Sequence, residues 1–196
     1  IPEQYLYKVY ASEDFYKEHQ AVFEGMEVEL VSDQVMKEIS DTMTPQGVLA
    51  LVRMLEYSLE DLLQQENPLL LVLENLQDPG NLGTILRTGE GAGINGIIMS
   101  RETVDIYNPK VTRSTMGSIF RVPFVYVDDL FEVIKMMKDR NITTYAAHLN
   151  GTDYTRESYT SGTAFLIGNE GNGLTDELTD NAQKKIKIPM CGRVES

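Results

Sequence analysis

Residues 69–100 read LLLVLENLQDPGNLGTILRTGEGAGINGIIMS, and this stretch decides the fold class. Leu69 to Leu73 is an apolar run with the length of a buried strand. Asp78, Pro79 and Gly80 form a polar turn, after which Asn81 stands where a helix N-cap is wanted. Leu82, Ile85, Leu86, Gly89 and Ala92 recur at helical spacing and predict one buried stripe. Gly93 stops the helix, and Ile97, Ile98 and Met99 read as a second strand. Strand, helix and strand in immediate succession predict a β-α-β unit, and hence a parallel sheet.

Within that helix Arg87 is flanked by Gly83, one turn before it, and Gly91, one turn after it, on nearly the same face. Each glycine inside a helix costs about 1 kcal/mol relative to alanine, so the pair needs a reason. Either the glycines clear space for a phosphate or a ribose to approach the guanidinium, or they allow close helix packing beside an arginine–carboxylate pair. The residues alone leave both readings open.

Further along, Asn108-Pro109 supplies an N-cap followed by proline at the first helical position. Between Arg101 and Arg121 four basic residues stand against Glu102 and Asp105. Lys110, Arg113 and Ser114, with the amides of the helix start, suit a phosphodiester; a solvated helix is the alternative. Arg121–Val127 reads as a strand, Asp128-Asp129 open an amphipathic helix through Lys138, and Ile142–Ala147 is another strand. Its end, His148-Leu149-Asn150-Gly151, reads as a tight turn at a carboxyl edge, where open α/β sheets bind ligands; His148 itself reads as a surface residue. Gly168 to Leu174, GNEGNGL, lies between the strand Ala164–Ile167 and a helix opened by Thr175, Asp176 and Glu177. Its three glycines either bring a ligand to backbone amides or make a flexible turn. Lys184–Ile188 is the last strand.

Upstream, Tyr5–Tyr10, Met26–Val31 and Gly47–Met54 read as strands, with helices capped by Ser12 and Ser32 running to Phe23 and Ile39. This is a compact β-α-β-α-β module. Ser58–Asn67 is a helix-prone connector in which Ser58 and Asp61 have capping-box spacing, so the boundary is placed near residue 66, giving domains 1–66 and 67–196.

The net charge of −13 argues against a general nucleic-acid binder, but it is uneven. Residues 1–66 carry four basic residues (Lys8, Lys17, Lys37, Arg53) against fourteen acidic ones, for −10, and the remainder carries −3. Any nucleic-acid contact is therefore expected mainly on the second part. A single cysteine, Cys191, excludes an internal disulfide and, with only His19 and His148, gives no expectation of a metal site. No apolar run is long enough to span a bilayer and the first residues do not read as a signal peptide, so no membrane partner is expected and the cytoplasm is the default. Gly91-x-Gly93-x-x-Gly96 fits a dinucleotide fingerprint by letter, but it ends a helix instead of opening one.

Glu74-Asn75, Asp78-Pro79, Asn81, Gly83, Arg87-Thr88 and Gly93 resemble the first motif of the SpoU (TrmH-like) RNA ribose 2′-O-methyltransferases of the SPOUT class. Gly168, Glu170, Gly171 and Gly173 resemble the second motif, and Ile188-Pro189-Met190 through Val194-Glu195-Ser196 the third. The first module, especially VSDQVMKEISDTMTPQGVLALV, is similar to the ribosomal-protein-like substrate-binding domain many of these enzymes carry. The resemblance covers nearly the whole chain.

It implies an α/β fold: a mostly parallel sheet with helices on both faces, of the knotted SPOUT type, behind a small α/β substrate-binding domain. It also implies S-adenosylmethionine as cofactor, a homodimer, and RNA as substrate, with ribosomal (23S) RNA ahead of tRNA because tRNA-type members usually lack the first module. By the same resemblance Asn81, Arg87, Glu170 and Ser196 are the catalytic set. Leu149, Asn150, Gly151, Gly168, Gly171, Gly173, Ile188 and Met190 hold the cofactor, and Arg87, Lys110, Arg113 and Ser114 meet RNA. Asn81 is expected to orient Arg87 or the ribose. Arginine is effectively never deprotonated in proteins, so Arg87 is expected to clamp phosphate and polarise the hydroxyl, not to act as a free base. Family members continue past the Ser196 position into a helix that completes the knot, so the chain is expected to be part of a longer protein. A Rossmann-like nucleotide enzyme and a noncatalytic RNA-binding module remain the alternatives.

Overall fold

The structure, a computed structural model, describes residues 1–192 of the chain. It forms two compact units, Ile1–Leu55 and the remainder from Glu56 onward. In the first unit β1 (Leu6–Ser12) is central, parallel to β2 (Val28–Val31) and antiparallel to β3 (Val48–Val52). Helices α1 (Glu13–Glu18) and α2 (Asp33–Ile39) start where the Ser12 and Ser32 hydroxyls accept hydrogen bonds from Phe15 N and Val35 N. Val9, Ala11 and Phe23 form its small core, with Phe15, Tyr16, Val28 and Val48 packed against it.

The second unit begins with α3 (Leu59–Leu63), capped by Ser58. Leu62 and Leu63 are buried in this unit's own core, so the connector read from sequence is part of the second unit and the division falls at Leu55, earlier than residue 66. A six-stranded sheet follows in the order β6-β5-β4-β8-β7-β9, and every pairing in it is parallel. From β4 (Leu69–Leu73) the chain winds outward through β5 (Gly96–Ser100) to β6 (Phe124–Val127). It then returns to the other side with β7 (Thr143–Asp153), inserts β8 (Thr163–Ile167) between β7 and β4, and ends on β9 (Lys184–Lys187). The winding direction reverses between β4 and β8. Because all six strands run one way, the segments that follow them share one edge of the sheet, and the reversal leaves a crevice there.

One face of the sheet, with Leu70, Val72, Ile98, Val125, Ala146 and Leu166, packs on α3, α6 (Leu130–Asp139) and α7 (Asp176–Asn181) through Leu62, Val133, Ile134, Met137 and Leu178. The alternate residues Leu73, Ile97 and Met99 are fully buried on the other face. Helices α4 (Pro79–Ala92) and α5 (Pro109–Ser114) bring Leu82, Leu86 and Val111, also fully buried.

Three local readings change. The N-cap of α4 is Asp78 instead of Asn81: its carboxylate accepts from Asn81 N at 2.9 Å, and Pro79 fills the first turn, where a missing N–H costs nothing. Gly93 does end the helix in the left-handed region (φ 74), but of the predicted stripe Leu82, Leu86 and Gly89 are buried, Ile85 is half-buried and Ala92 is exposed in the last turn. Residues 148–151 are not a tight turn ending a strand. Ala147 and Thr152 both pair with Ile186, so β7 runs on and these four residues bulge out of it. Gly151 is obligatory in that bulge, since an added Cβ would lie 2.4 Å from the Ile186 backbone.

Candidate active site

The Glu170 carboxylate sits over the start of α4. It accepts hydrogen bonds from Gln77 N (3.1 Å), Asp78 N (2.9 Å) and Asn81 Nδ2 (3.1 Å). Burial pushes this carboxyl up, but the bonds from Gln77, from Asp78, from its own amide and from Asn81 outweigh that and hold it at about 2. A fixed anion therefore closes the positive end of the helix. Asn81 is committed to Glu170 and not to Arg87, because six positions along a helix of about 3.6 residues per turn put the two on different faces.

Arg87 is exposed, and among the described residues its side chain has no hydrogen bond or ion pair. The carboxylate one turn away, Glu90, is taken by Arg121 and by the Ser118 hydroxyl, which hold it at about 2. Gly83 is explained by packing: a Cβ there would lie 1.7 Å from Ser114 Oγ, so α4 and α5 meet only because this residue is glycine. Gly91 faces open space. Ser114, read as an RNA contact, lies in that helix contact, and its hydroxyl donates to Val111 O at 2.8 Å. Asn108 takes the Lys110 amide (2.9 Å), so at the start of α5 what faces solvent is side chains: Lys110 and Arg113 are exposed and unpaired among the described residues.

The loop 168–174 closes on itself. Asn169 N and Gly173 O, and Gly173 N and Asn169 O, bond at 3.0 and 2.8 Å, while Asn169 Oδ1 accepts from Gly171 N and Asn172 N. An added Cβ at Gly168 would lie 2.0 Å from Gly173 carbon, and Gly173 needs its φ of 70. Gly168 and Gly173 serve closure, and the amides of Asn169, Gly171, Asn172 and Gly173 are used inside the loop instead of being offered to a ligand. The side chains around it line a cleft of about 370 Å³ at the β4/β8 reversal: Asn75, Gln77, Glu102, Asn169, Asn172 and Thr175.

Sequence reasoning passed over most of that lining. Asn75 (φ 55) is held by the Ser100 hydroxyl and accepts from Asn169 Nδ2. Glu74, buried, accepts from Thr175 N and Thr175 Oγ1, both at 2.8 Å, and so ties the end of β4 to the cap of α7. The available signal was a carboxylate placed directly after an apolar strand.

Leu149 stands exposed in the bulge of β7, Ile188 and Met190 stand exposed after β9, and Asn150 donates its amide to His148 Nδ1 at 3.2 Å. The cleft offers carboxamides, the Thr175 hydroxyl, Leu174 and the Glu102 carboxylate in a space within the usual range for small-molecule sites, and the exposed Leu149, Ile188 and Met190 lie outside its lining. The lining fits a hydrogen-bonding ligand that carries hydroxyls and positive charge. Ser196 lies outside the described residues. Among the described residues no group of three or more His, Cys, Asp or Glu is gathered as for a metal ion, and no helix is long and apolar enough to cross a membrane.

Residues 68–196 match the SpoU rRNA Methylase family, and residues 3–50 match the MRM3-like substrate binding domain. The chain is 31% identical over 179 residues to the 23S rRNA (guanosine(2553)-2'-O)-methyltransferase RlmP of Bacillus subtilis (strain 168), covering 88% of this chain and 67% of that one. It spans about two thirds of the length of the curated relatives it matches. Its fold matches the AdoMet-bound rRNA methyltransferase from Sinorhizobium meliloti with a TM-score of 0.82 at 32% identity, covering 97% of this chain and 74% of that one. It also matches the SpoU methyltransferase AviRb from Streptomyces viridochromogenes in complex with AdoMet, with a TM-score of 0.84 at 26% identity, covering 97% and 76%.

Proposed function

The chain belongs to the SpoU rRNA methylase family, and from that premise we propose that it is an S-adenosylmethionine-dependent RNA ribose 2′-O-methyltransferase acting on ribosomal RNA, 23S RNA first. The observation that carries the reading is Arg87: a cation with no carboxylate partner among the described residues, exposed on a helix whose start is anchored by Glu170 beside the switch-point cleft. The preference for ribosomal RNA draws on the match of residues 3–50 to a substrate-binding domain and on the printed name of the Bacillus subtilis relative.

When bound, the cofactor supplies an electrophilic methyl group. Leu149, Asn150 and Gly151, with Ile188 and Met190, would hold it at the carboxyl edge, and the closed loop of Gly168, Gly171 and Gly173 would shape the wall beside it. Arg87 grips a backbone phosphate and polarises the ribose hydroxyl; its guanidinium keeps its proton throughout. Lys110 and Arg113 hold neighbouring phosphates and fix the register of the strand. Glu170 and Asn81 act through the start of α4, keeping the helix that presents Arg87 in place. Most of the rate then comes from holding the hydroxyl in line with the methyl group. We extend the reading to a cytoplasmic protein with the knotted topology of the family and to a homodimer, the last supported by the exposed apolar side chains of Leu149, Ile188 and Met190.

The test is transfer of tritium from labelled S-adenosylmethionine to ribosomal RNA from cells lacking the protein, followed by ribose-methylation mapping. One labelled 2′-hydroxyl in 23S RNA is the expected result. Transfer to tRNA instead would move the substrate within the family, and RNA binding without any transfer would reduce the chain to a binding module.

A further inference from the structure

Met116 combines two properties that rarely meet. Its side chain is 71% exposed, and its backbone is in the left-handed region at φ 51, which a long side chain disfavours. The surroundings enforce this conformation. Met116 N donates to Arg113 O, the buried Thr115 donates to Thr112 O and accepts from Gly117 N, and the buried Ser118 donates to Glu90. An exposed apolar residue held in strain by its neighbours invites a functional explanation.

Its place in the fold supplies one. Gly83 of α4 meets Ser114, and Glu90 of the same helix meets Ser118. Arg87 lies between those two contacts on the same helical face, and Met116 lies midway between Ser114 and Ser118 on the segment opposite. Arg87 and Met116 thus flank one stretch of the seam, with Arg113 and Lys110 just upstream. None of the three cations has an ion-pair partner among the described residues.

We propose that Met116 is a shelf for a nucleobase of the substrate strand: a base next to the target ribose leaves its stack and lies against the thioether while Arg87, Arg113 and Lys110 hold the phosphates. The inference rests on the RNA reading above and deepens it, because it commits the substrate to single-stranded or locally opened RNA. Cations alone would grip duplex and loop alike. A polarizable apolar side chain placed among them adds a contact that only an unstacked base can use.

The full chain is titrated with a short single-stranded RNA that carries a central 2-aminopurine and a terminal dye. Dye anisotropy reports binding, and 2-aminopurine emission at saturation reports unstacking. Wild type and Met116→Leu are expected to raise the emission. Met116→Asn, which tolerates the left-handed backbone but removes the apolar surface, loses about half or more of the rise, while its Kd changes by less than about tenfold. If Met116→Asn does not fold, Met116→Gly makes the same test without backbone strain. An emission rise in the substituted chain equal to wild type overturns the proposal and leaves the RNA reading intact. No anisotropy change with the wild-type chain removes the RNA reading, and the proposal with it.

Discussion

Arg87 is where the proposed chemistry is most exposed to refutation. Among the described residues its exposed side chain makes no hydrogen bond or ion pair, so Arg87→Ala should leave the thermal midpoint nearly unchanged while methyl transfer falls by about a hundredfold or more. Arg87→Lys should fail nearly as badly, since a point charge cannot reproduce the planar fork. Single-turnover transfer to ribosomal RNA checks both, and an active Arg87→Ala would remove this residue from the site. The sequence pointed to Arg87 through its glycines, and the helix it lies on was read correctly, yet the reason was only half right. Gly83 exists for Ser114, on another helix, and no spacing within α4 could have revealed that neighbour. Of the two roles expected for Asn81, the contact with Arg87 fails for a similar reason, because its partner Glu170 lies 89 residues away in the chain.

At the scale of elements, the strand–helix–strand stretch was legible because its pairing is local and its punctuation, Pro79 and Gly93, acts within a turn. The bulge at 148–151 was not: it is defined by Ile186 on a neighbouring strand, and alternation along β7 carries no trace of it. The contact of α4 with α5 gives a direct prediction. Gly83→Ala should destabilise the protein by about 1–3 kcal/mol in urea unfolding, and Ser114→Gly in the same chain should recover part of the loss. The anchor on α4 gives a second. The Glu170 carboxyl titrates at about 2 in the fold against an ordinary 4.5, so its contribution is fully present above about 4.5 and is lost as the pH falls toward 2. Wild type should therefore melt above Glu170→Gln at neutral pH, by a modest margin because the group is partly in solvent, and the gap should close by about pH 2. A gap that is constant across this range would mean that Glu170 contributes packing and not charge.

For the molecule as a whole, charge assigns the work. With −10 on residues 1–66 and −3 on residues 67–196, RNA affinity should reside mainly in residues 67–196, the part of the second unit that follows its acidic first helix. Lys110→Glu with Arg113→Glu should weaken binding and flatten its dependence on salt by about two counterions' worth. An unchanged slope in filter-binding titrations would make that surface a solvated helix and nothing more. The proposed homodimer is checked by light scattering, where a monomer at micromolar concentration would count against it.

The reversal at β4 and β8 also sets an order of events in time. Asn75 and Asn169, which meet across the cleft, are 94 residues apart in the chain, and every strand pairing on that side of β4 waits for residues beyond Thr163. During synthesis the early β-α-β stretch can emerge and collapse, exposing Arg87, while the pocket that would supply the methyl group cannot yet exist. A nascent chain halted before β8 should therefore hold RNA weakly and transfer nothing, so the capacity to modify arrives as one late step when the last strands dock.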